Sequence, residues 1–352
     1  MTSGGNEPLT TIERLSAQGL SGSPFGNSDD VVGRLLAVQA QDARGSRLTI
    51  RSRTQGLSAA DVDSAFNDGS MVITWLNRGT LHLIRSKDYA WLHEVTAPRQ
   101  VNFNLRRLEQ EGVSPDQAEK GEAAIRTEIA DQGPRTRAEL RSALEGAGVP
   151  TAGQAFIHVL MYCSLRGLIV RGPMRGGEQQ FVLVDEWLGE RPPVDTEAAL
   201  AELARRYLAG HGPAGERDLA KWAAITLGQA RAGMKAIKNE VVDAGQDLIR
   251  LERSGVSEEL PPPKLLGPFD PILHGWQSRD FLIPDERERS VVTTNGVFRP
   301  TILVDGQVAG IWRLAEGKIE LQPFGEIGAA AAGALEEEME DVHRFLRASD
   351  RD

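Results

Sequence analysis

Cysteine is almost absent from this chain. Among 352 residues there is one, Cys163, inside the apolar run Val159-Leu160-Met161-Tyr162-Cys163-Ser164-Leu165. A single thiol excludes an intrachain disulfide framework and any cysteine-based metal cluster. Its apolar neighbours mark it as a buried, inert side chain. Histidine is sparse too: the six are scattered, and none forms a His-x-x-x-His pair. No metal-ligand spacing stands out, and no metal or other cofactor is expected. No apolar stretch reaches the length of a membrane span, and the N-terminus lacks a basic region followed by an apolar run, so no secretory leader is read. The expected location is the cytoplasm, without a membrane partner. Gly176-Gly177 and Gly306 do not build a phosphate-binding loop, which leaves nucleotide hydrolysis unsupported. Neither Lys87 nor Lys120 stands in a context that marks a Schiff-base nucleophile.

What is present is length, acid and arginine. A chain of this length can bury a sizeable core and divide into two to four small domains. The formal charge is −10, which argues against a simple basic nucleic-acid coat. The charge is uneven, however. Residues 31–110 hold eleven Arg/Lys and seven Asp/Glu, a net of +4, whereas residues 334–352 carry a net of −4. A local positive face can bind phosphates on an acidic protein. Arginine outnumbers lysine 33 to 7; arginine suits phosphate and base-edge recognition, and a GC-rich bacterial genome also accounts for the excess.

The order of elements suggests repetition. Residues 1–8 are polar and read as loose. Asp29 or Asp30 can cap a helix whose stripe is Val32, Leu35 and Leu36, with Gln39 next on that face. Leu48 and Ile50 sit in an alternating stretch, Ser58 caps a further helix, and the segment from Trp75 to Leu83 reads as a hairpin around Arg78-Gly79. Helices are expected over 119–131, 136–146 and 151–166, then strands at 168–170 and 181–184. A similar order follows: helices over 196–208, 216–222 and 227–244, then a strand at 248–251. After Pro261-Pro262-Pro263, strands are expected at 290–294, 299–304, 307–313 and 318–322, with Asp305-Gly306 as a hairpin turn, and a closing helix over 336–347. Its acidic run 336–341 reads as a solvated face and a match to the helix N-terminal dipole.

Gln39-Ala40-Gln41 is the segment with the most chemistry. Two residues apart on a helix, side chains point to nearly opposite faces; on extended chain they share one. If the chain leaves the helix here, both amides can aim at one water. An amide cannot act as a strong base, but it can orient a nucleophile by donating and accepting at once. The same pair could also be a solvated pair or a partner in a helix cap.

Four further segments accompany it: Arg14-Leu15-Ser16-Ala17-Gln18-Gly19-Leu20, Thr74-Trp75-Leu76-Asn77-Arg78-Gly79-Thr80-Leu81-His82-Leu83, Leu266-Gly267-Pro268-Phe269-Asp270-Pro271-Ile272-Leu273-His274-Gly275-Trp276 with Arg279 behind it, and Asn295-Gly296-Val297-Phe298-Arg299-Pro300 followed by Val304-Asp305-Gly306-Gln307-Val308-Ala309-Gly310-Ile311-Trp312-Arg313. In this order the chain resembles the AlkZ/YcaQ-like family of bacterial winged-helix DNA glycosylases, over nearly its whole length. Gln39 and Gln41 match the Gln-apolar-Gln motif of the AlkZ branch; the YcaQ branch has aspartate at the second polar position. The resemblance implies an α+β fold of about three tandem winged-helix units and a small C-terminal β-barrel or sheet domain, divided near 9–115, 116–192, 193–258 and 259–352. It implies a DNA glycosylase that removes alkylated purines from double-stranded DNA, acting as a monomer, in base excision repair or self-resistance to alkylating natural products. A non-enzymatic winged-helix regulator and a drug-sequestering resistance protein are the alternatives.

The expected catalytic pair is Gln39 and Gln41. Candidate DNA contacts are Arg44, Arg78, Thr80, His82, Arg279 and Arg313. His82 could meet DNA or be a hydrogen-bonded structural histidine. Arg279 and Arg313 could neutralise phosphates or pair with carboxylates. Asp270 is a turn-forming carboxylate or a neighbour of the active cleft. Trp75 and Trp312 read as core.

Overall fold

The computed structural model describes residues 7–347 apart from 254, 256 and 258; most of the segment expected to be loose, residues 1–6, lies outside the described residues. The chain forms two compact units. The first joins Met1–Val62, Ala201–Trp222 and Thr226–Asp352, and the second holds Asp63–Leu200 with Ala223–Ile225.

The chain begins with α1 (Glu7–Ala17), α2 (Ser28–Leu35), β1 (Val38–Gln39), α3 (Ala43–Arg51) and α4 (Ala59–Asn67). The cap of α2 is Asn27, whose Oδ1 accepts from the Asp30 N–H at 2.8 Å. Asp29 and Asp30 fall in the first turn, where their charge suits the dipole. Leu48 and Ile50 lie in α3, not in extended chain. The Asp42 carboxylate starts that helix by accepting from the Gly45 N–H at 2.7 Å. Leu48, Thr49 and Ile50 are all buried, so the helix's apolar residues form no single stripe. Ser58 and Asp61 cap α4 reciprocally.

The second unit contains β2 (Met71–Leu76), β3 (Thr80–Arg85), α5 (Tyr89–Thr96), α6 (Pro98–Gln110), α7 (Pro115–Gln132), α8 (Arg137–Gly146), α9 (Ala155–Leu165), β4 (Ile169–Arg175), β5 (Glu178–Leu183) and α10 (Val184–Trp187). Ser114 with Gln117 and Thr136 with Glu139 form capping boxes that start α7 and α8, each satisfying two otherwise orphaned N–H groups. The strands pair antiparallel in the order β3-β2-β4-β5. Ile73, Leu83, Ile125, Leu144, Phe156, Leu160 and Phe181 fill the core, each contributing roughly 1.5–3 kcal/mol by leaving water.

His93 on α5 stacks on Tyr89, ring centroids 5.1 Å apart, with Nε2 3.2 Å from the Ser164 carbonyl. Burial pushes its imidazole down to about 4. The unfolded chain therefore takes up a proton that the folded one resists. Stability from the neutral ring is complete above the ordinary histidine value and is lost as pH falls from there toward 4. Urea titrations should show the unfolding midpoint dropping across that window, and dropping less in His93→Phe.

The remainder runs α11 (Thr196–His211), α12 (Glu216–Ala223), α13 (Leu227–Ala236), β6 (Val241–Gly245), β7 (Leu248–Leu251), β8 (Lys264–Leu266), α14 (Glu288–Val291), β9 (Thr301–Val304), β10 (Gln307–Ala315), β11 (Lys318–Pro323) and α15 (Ala329–Arg347). The helix expected over 227–244 stops at Ala236. Val241 and Val242 instead pair with Leu251 and Arg250 of β7, as β-branched residues favour. The strand expected at 290–294 begins as helix α14; only Val292 bridges, to Phe298. The C-terminal strands form an antiparallel sheet in the order β11-β10-β9-β8. The acidic run 336–341 lies within α15, well past its first turn. Glu338 and Asp341 pair with the buried Arg51 at 2.5 and 3.1 Å, and the Arg51 Nη2 also donates to the Leu265 carbonyl at 2.9 Å. Part of this run is thus an internal anchor between α15, α3 and β8, not a solvated face.

Candidate active site

α2 ends abruptly. Leu36 is held at φ 66° and ψ −50°, and the Ala37 N–H donates to the Leu35 carbonyl at 2.8 Å. That is a γ-turn of the rarer, strained hand. Leu36 is β-unbranched but has a Cβ, so the surroundings must enforce this conformation; its side chain is completely buried. Such strain, of order 1–3 kcal/mol, gathers at functional sites. The turn delivers Val38 and Gln39 in extended backbone. Gln39 is 6% exposed. Gln41 follows in a bend and is exposed, and its side chain makes no hydrogen bond among the described residues. Asp42 then caps α3, so the motif stands in a short irregular passage between two rigid helices.

α3 is held closely from behind. A Cβ on Gly45 would sit 2.5 Å from the Pro268 carbonyl oxygen, and one on Gly267 would sit 2.8 Å from the Leu48 Cβ. The two glycines let α3 and the 266–270 segment approach backbone to backbone. Behind them lies a buried ion pair. The Arg53 Nη1 and Nη2 each donate to Asp270 at 2.8 Å, with Arg53 1% and Asp270 0% exposed. The Arg53 Nε donates to the Gln18 carbonyl at 2.7 Å, and the Gln18 amide donates to the Gly210 carbonyl at 2.6 Å. Arg14 donates to the Pro213 carbonyl at 3.0 Å. Burial lowers the pKa of Arg14, and Asp218 partly opposes that.

The candidate residues divide between the units. Gln39, Gln41, Arg44, Asp270, Arg279 and Arg313 belong to the first, and Arg78, Thr80 and His82 to the second. Arg44 is exposed in the first turn of α3, where the N-terminal dipole also attracts phosphate. Arg313 is exposed on β10 and pairs with Glu320 at 2.5 Å. Arg279 donates to the Leu273 carbonyl at 3.0 Å, pairs with Glu288, and lies over the Phe298 ring. Its guanidinium is thus largely taken up within the fold. Asp270 is sealed from solvent. It holds Arg53 and accepts from the Ile272 N–H at 3.2 Å, starting the turn Pro271–Leu273. Arg78 is half-buried at the hairpin tip, and burial lowers its pKa. Thr80 is half-buried; His82 is 1% exposed, with Nδ1 2.9 Å from the Thr80 carbonyl. Trp75 and Trp312 are buried, and the Trp312 Nε1 donates to the Leu266 carbonyl at 2.9 Å. Leu36, expected in the apolar stripe of the helix, instead ends it, and Arg53 is a buried partner that residue type does not announce. Arg53 stands among the polar residues Arg51, Ser52, Thr54 and Gln55 and carries no mark of burial, and leucine carries no mark of a left-handed turn.

The mixed α/β fold and the passage holding Gln39-Ala40-Gln41 occur in a chain that a family model described as AlkZ-like DNA glycosylase matches over residues 32–345, and the chain belongs to that family. It is 26% identical over 360 residues to an interstrand DNA cross-link repair glycosylase of Streptomyces sahachiroi, with 94% of each chain covered. Its fold is that of the solved structure of the Streptomyces sahachiroi DNA glycosylase AlkZ, with a TM-score of 0.81 at 24% identity over 97% of this chain and 96% of that one. Among the described residues, no helix is long and apolar enough to cross a membrane.

Proposed function

We propose that this protein is a monofunctional DNA glycosylase that hydrolyses the N-glycosidic bond of alkylated purines, of the N7-alkylguanine and N3-alkyladenine type. Alkylation makes the base cationic. The bond from C1′ to the base can then break without a general acid, and its electrons neutralise the departing purine. The sugar is left as an oxocarbenium ion. A water held by the Gln39 and Gln41 amides attacks C1′, and its proton passes to solvent after the new C–O bond forms. The products are a free alkylated purine and an abasic site. Neither amide needs to remove the proton, because the oxygen becomes acidic once bonded. Their work is orientation and electrostatic support along the attack path.

The observation that carries this reading is the strained turn at Leu36, which ends α2 and presents the two glutamines outside any helix. Arg44 beside them, with the N-terminus of α3, supplies a place for a phosphate. The helix–hairpin repetition along the chain is read as about three winged-helix units gripping the backbone of duplex DNA. The relative named for cross-link repair favours including bulky adducts and interstrand cross-links in the substrate range. The test is direct. Purified protein incubated with N7-methylguanine duplex should release free base and leave abasic sites, in excess chelator as well as without it. Tight binding without release would favour a non-enzymatic DNA-binding protein and overturn the hydrolytic scheme.

A further inference from the structure

The outer face of α6 carries a feature that the glycosidic chemistry does not use. Phe103 is 72% exposed, more than Leu9, Leu260 or Val297, the other large apolar side chains in the open among the described residues. Exposing a phenyl ring in water costs free energy, so a ligand that covers it gains. At about 100° per residue, Arg99, Gln100, Arg106, Arg107 and Gln110 fall within about 60° of it around the helix axis. No acidic residue of α6 lies within that arc; Glu109 is turned about 120° away, and Glu111, just past the helix, reaches only Arg107 of these groups. The rotation of the helix is fixed from below. Leu108 and Asn104 are buried, and the Asn104 amide donates to the His158 carbonyl at 2.9 Å.

Two of the surrounding guanidinium groups, those of Arg107 and Arg99, are positioned. Arg107 pairs with Glu111 at 2.8 Å and donates to Gln110 at 2.9 Å. Arg99 donates to the Ala224 carbonyl at 3.1 Å, which holds the stem and leaves four N–H groups of the guanidinium. Arg106 is exposed and makes no ion pair among the described residues. The face also adjoins the hairpin tip: a Cβ on Gly79 would lie 3.3 Å from the Gln100 Oε1. The stripe thus begins beside Arg78.

We propose that α6 is a DNA-contacting element in which Phe103 enters a base step while Arg99 and Arg106 hold the flanking phosphates. The inference rests on the reading that this protein acts on DNA, and adds a surface to it. An aromatic ring among guanidinium groups suits a ligand with flat apolar faces spaced between anionic groups. A nucleic-acid strand has that pattern, and an apolar wedge between bases is a recurrent way of bending a duplex. A protein partner for the same face would need an apolar pocket rimmed with carboxylates, and would leave DNA binding indifferent to Phe103.

The experiment uses the full chain with unmodified duplexes that carry 2-aminopurine at successive positions. Binding of the unmodified protein should raise the emission at one step, as that base loses its stacking. Phe103→Ala should abolish the rise and weaken binding about 10-fold, while Phe103→Trp keeps both. Arg106→Ala should make the log–log dependence of affinity on salt shallower by about 0.9, as one phosphate contact is lost. Both side chains are exposed, so unchanged unfolding midpoints will show that the variants fold. Equal affinity, emission and salt slope in all three variants, with the unmodified protein binding DNA, would overturn the proposal. If the unmodified protein binds and unstacks a base yet releases no N7-methylguanine, the glycosylase reading falls and the α6 contact stands.

Discussion

Gln39→Ala and Gln41→Ala should each lower single-turnover release of N7-methylguanine by about 10²–10³-fold, with affinity for the same duplex little changed. Each substitution removes one group that positions the attacking water, and the barrier rises by the interaction lost at the transition state. The double variant should lose less than the product of the single losses, because both amides act on one water. Gln41→Asp keeps a side chain able to accept from that water and should retain partial activity. The two positions differ in a way that helps the measurement. Gln41 is exposed and Gln39 is 6% exposed, so Gln41→Ala should leave the urea midpoint unmoved, whereas Gln39→Ala can lower it. If the glutamines only support the chain between α2 and α3, stability will fall while excision stays near that of the unmodified protein. Excision at the unmodified rate by both single variants would end the two-glutamine mechanism.

Asp270→Ala should cost about 3–5 kcal/mol in unfolding free energy, because it leaves the Arg53 charge buried without its partner. That is a large share of the roughly 5–15 kcal/mol by which a domain is stable. The removed carboxylate also starts the turn Pro271–Leu273, so the segment that packs on Gly45 should loosen. The double variant Arg53→Met/Asp270→Leu should recover much of the loss, since apolar groups of similar size need no counter-charge. Urea unfolding of the unmodified protein, Arg53→Met, Asp270→Leu and the double variant gives the coupling directly. A carboxylate working in an active cleft would behave otherwise: Asp270→Ala would lose excision at unchanged stability, and the double variant would recover nothing.

Much of the local structure is legible along the chain. The starts of α7 and α8 are written in Ser114-x-x-Gln117 and Thr136-x-x-Glu139, because a cap acts over three residues. The hairpins at Arg78-Gly79 and Asp305-Gly306 follow from glycines that adopt φ 74° and 75° without a Cβ clash. α13 is the contrary case. A helix is expected to run on to Ala244, yet the β-branched Val241 and Val242 pair with the strand β7, which makes 241–245 sheet. α3 departs from expectation for a related reason: Leu48 and Ile50 look alternating, yet they are buried on opposite sides of one helix enclosed by the fold.

The candidate site divides in the same way. The sequence alone determined that two amides stand two residues apart where the apolar helical pattern ends, that no cysteine cluster shares the chain, and that Arg44 follows closely. These are matters of residue type and near spacing, which short-range forces translate into structure. Tertiary structure alone decided how the passage is held. Leu36 takes a left-handed turn that its own preferences oppose, and Arg53 meets Asp270 across 217 residues. Glu338 and Asp341, acidic like their neighbours, were selected as partners for Arg51 by the packing of α15 against α3. Burial makes those choices, because a charge or a strained backbone is tolerated inside a protein only where distant segments compensate it, and the identity of those segments is not a property of the residues beside it.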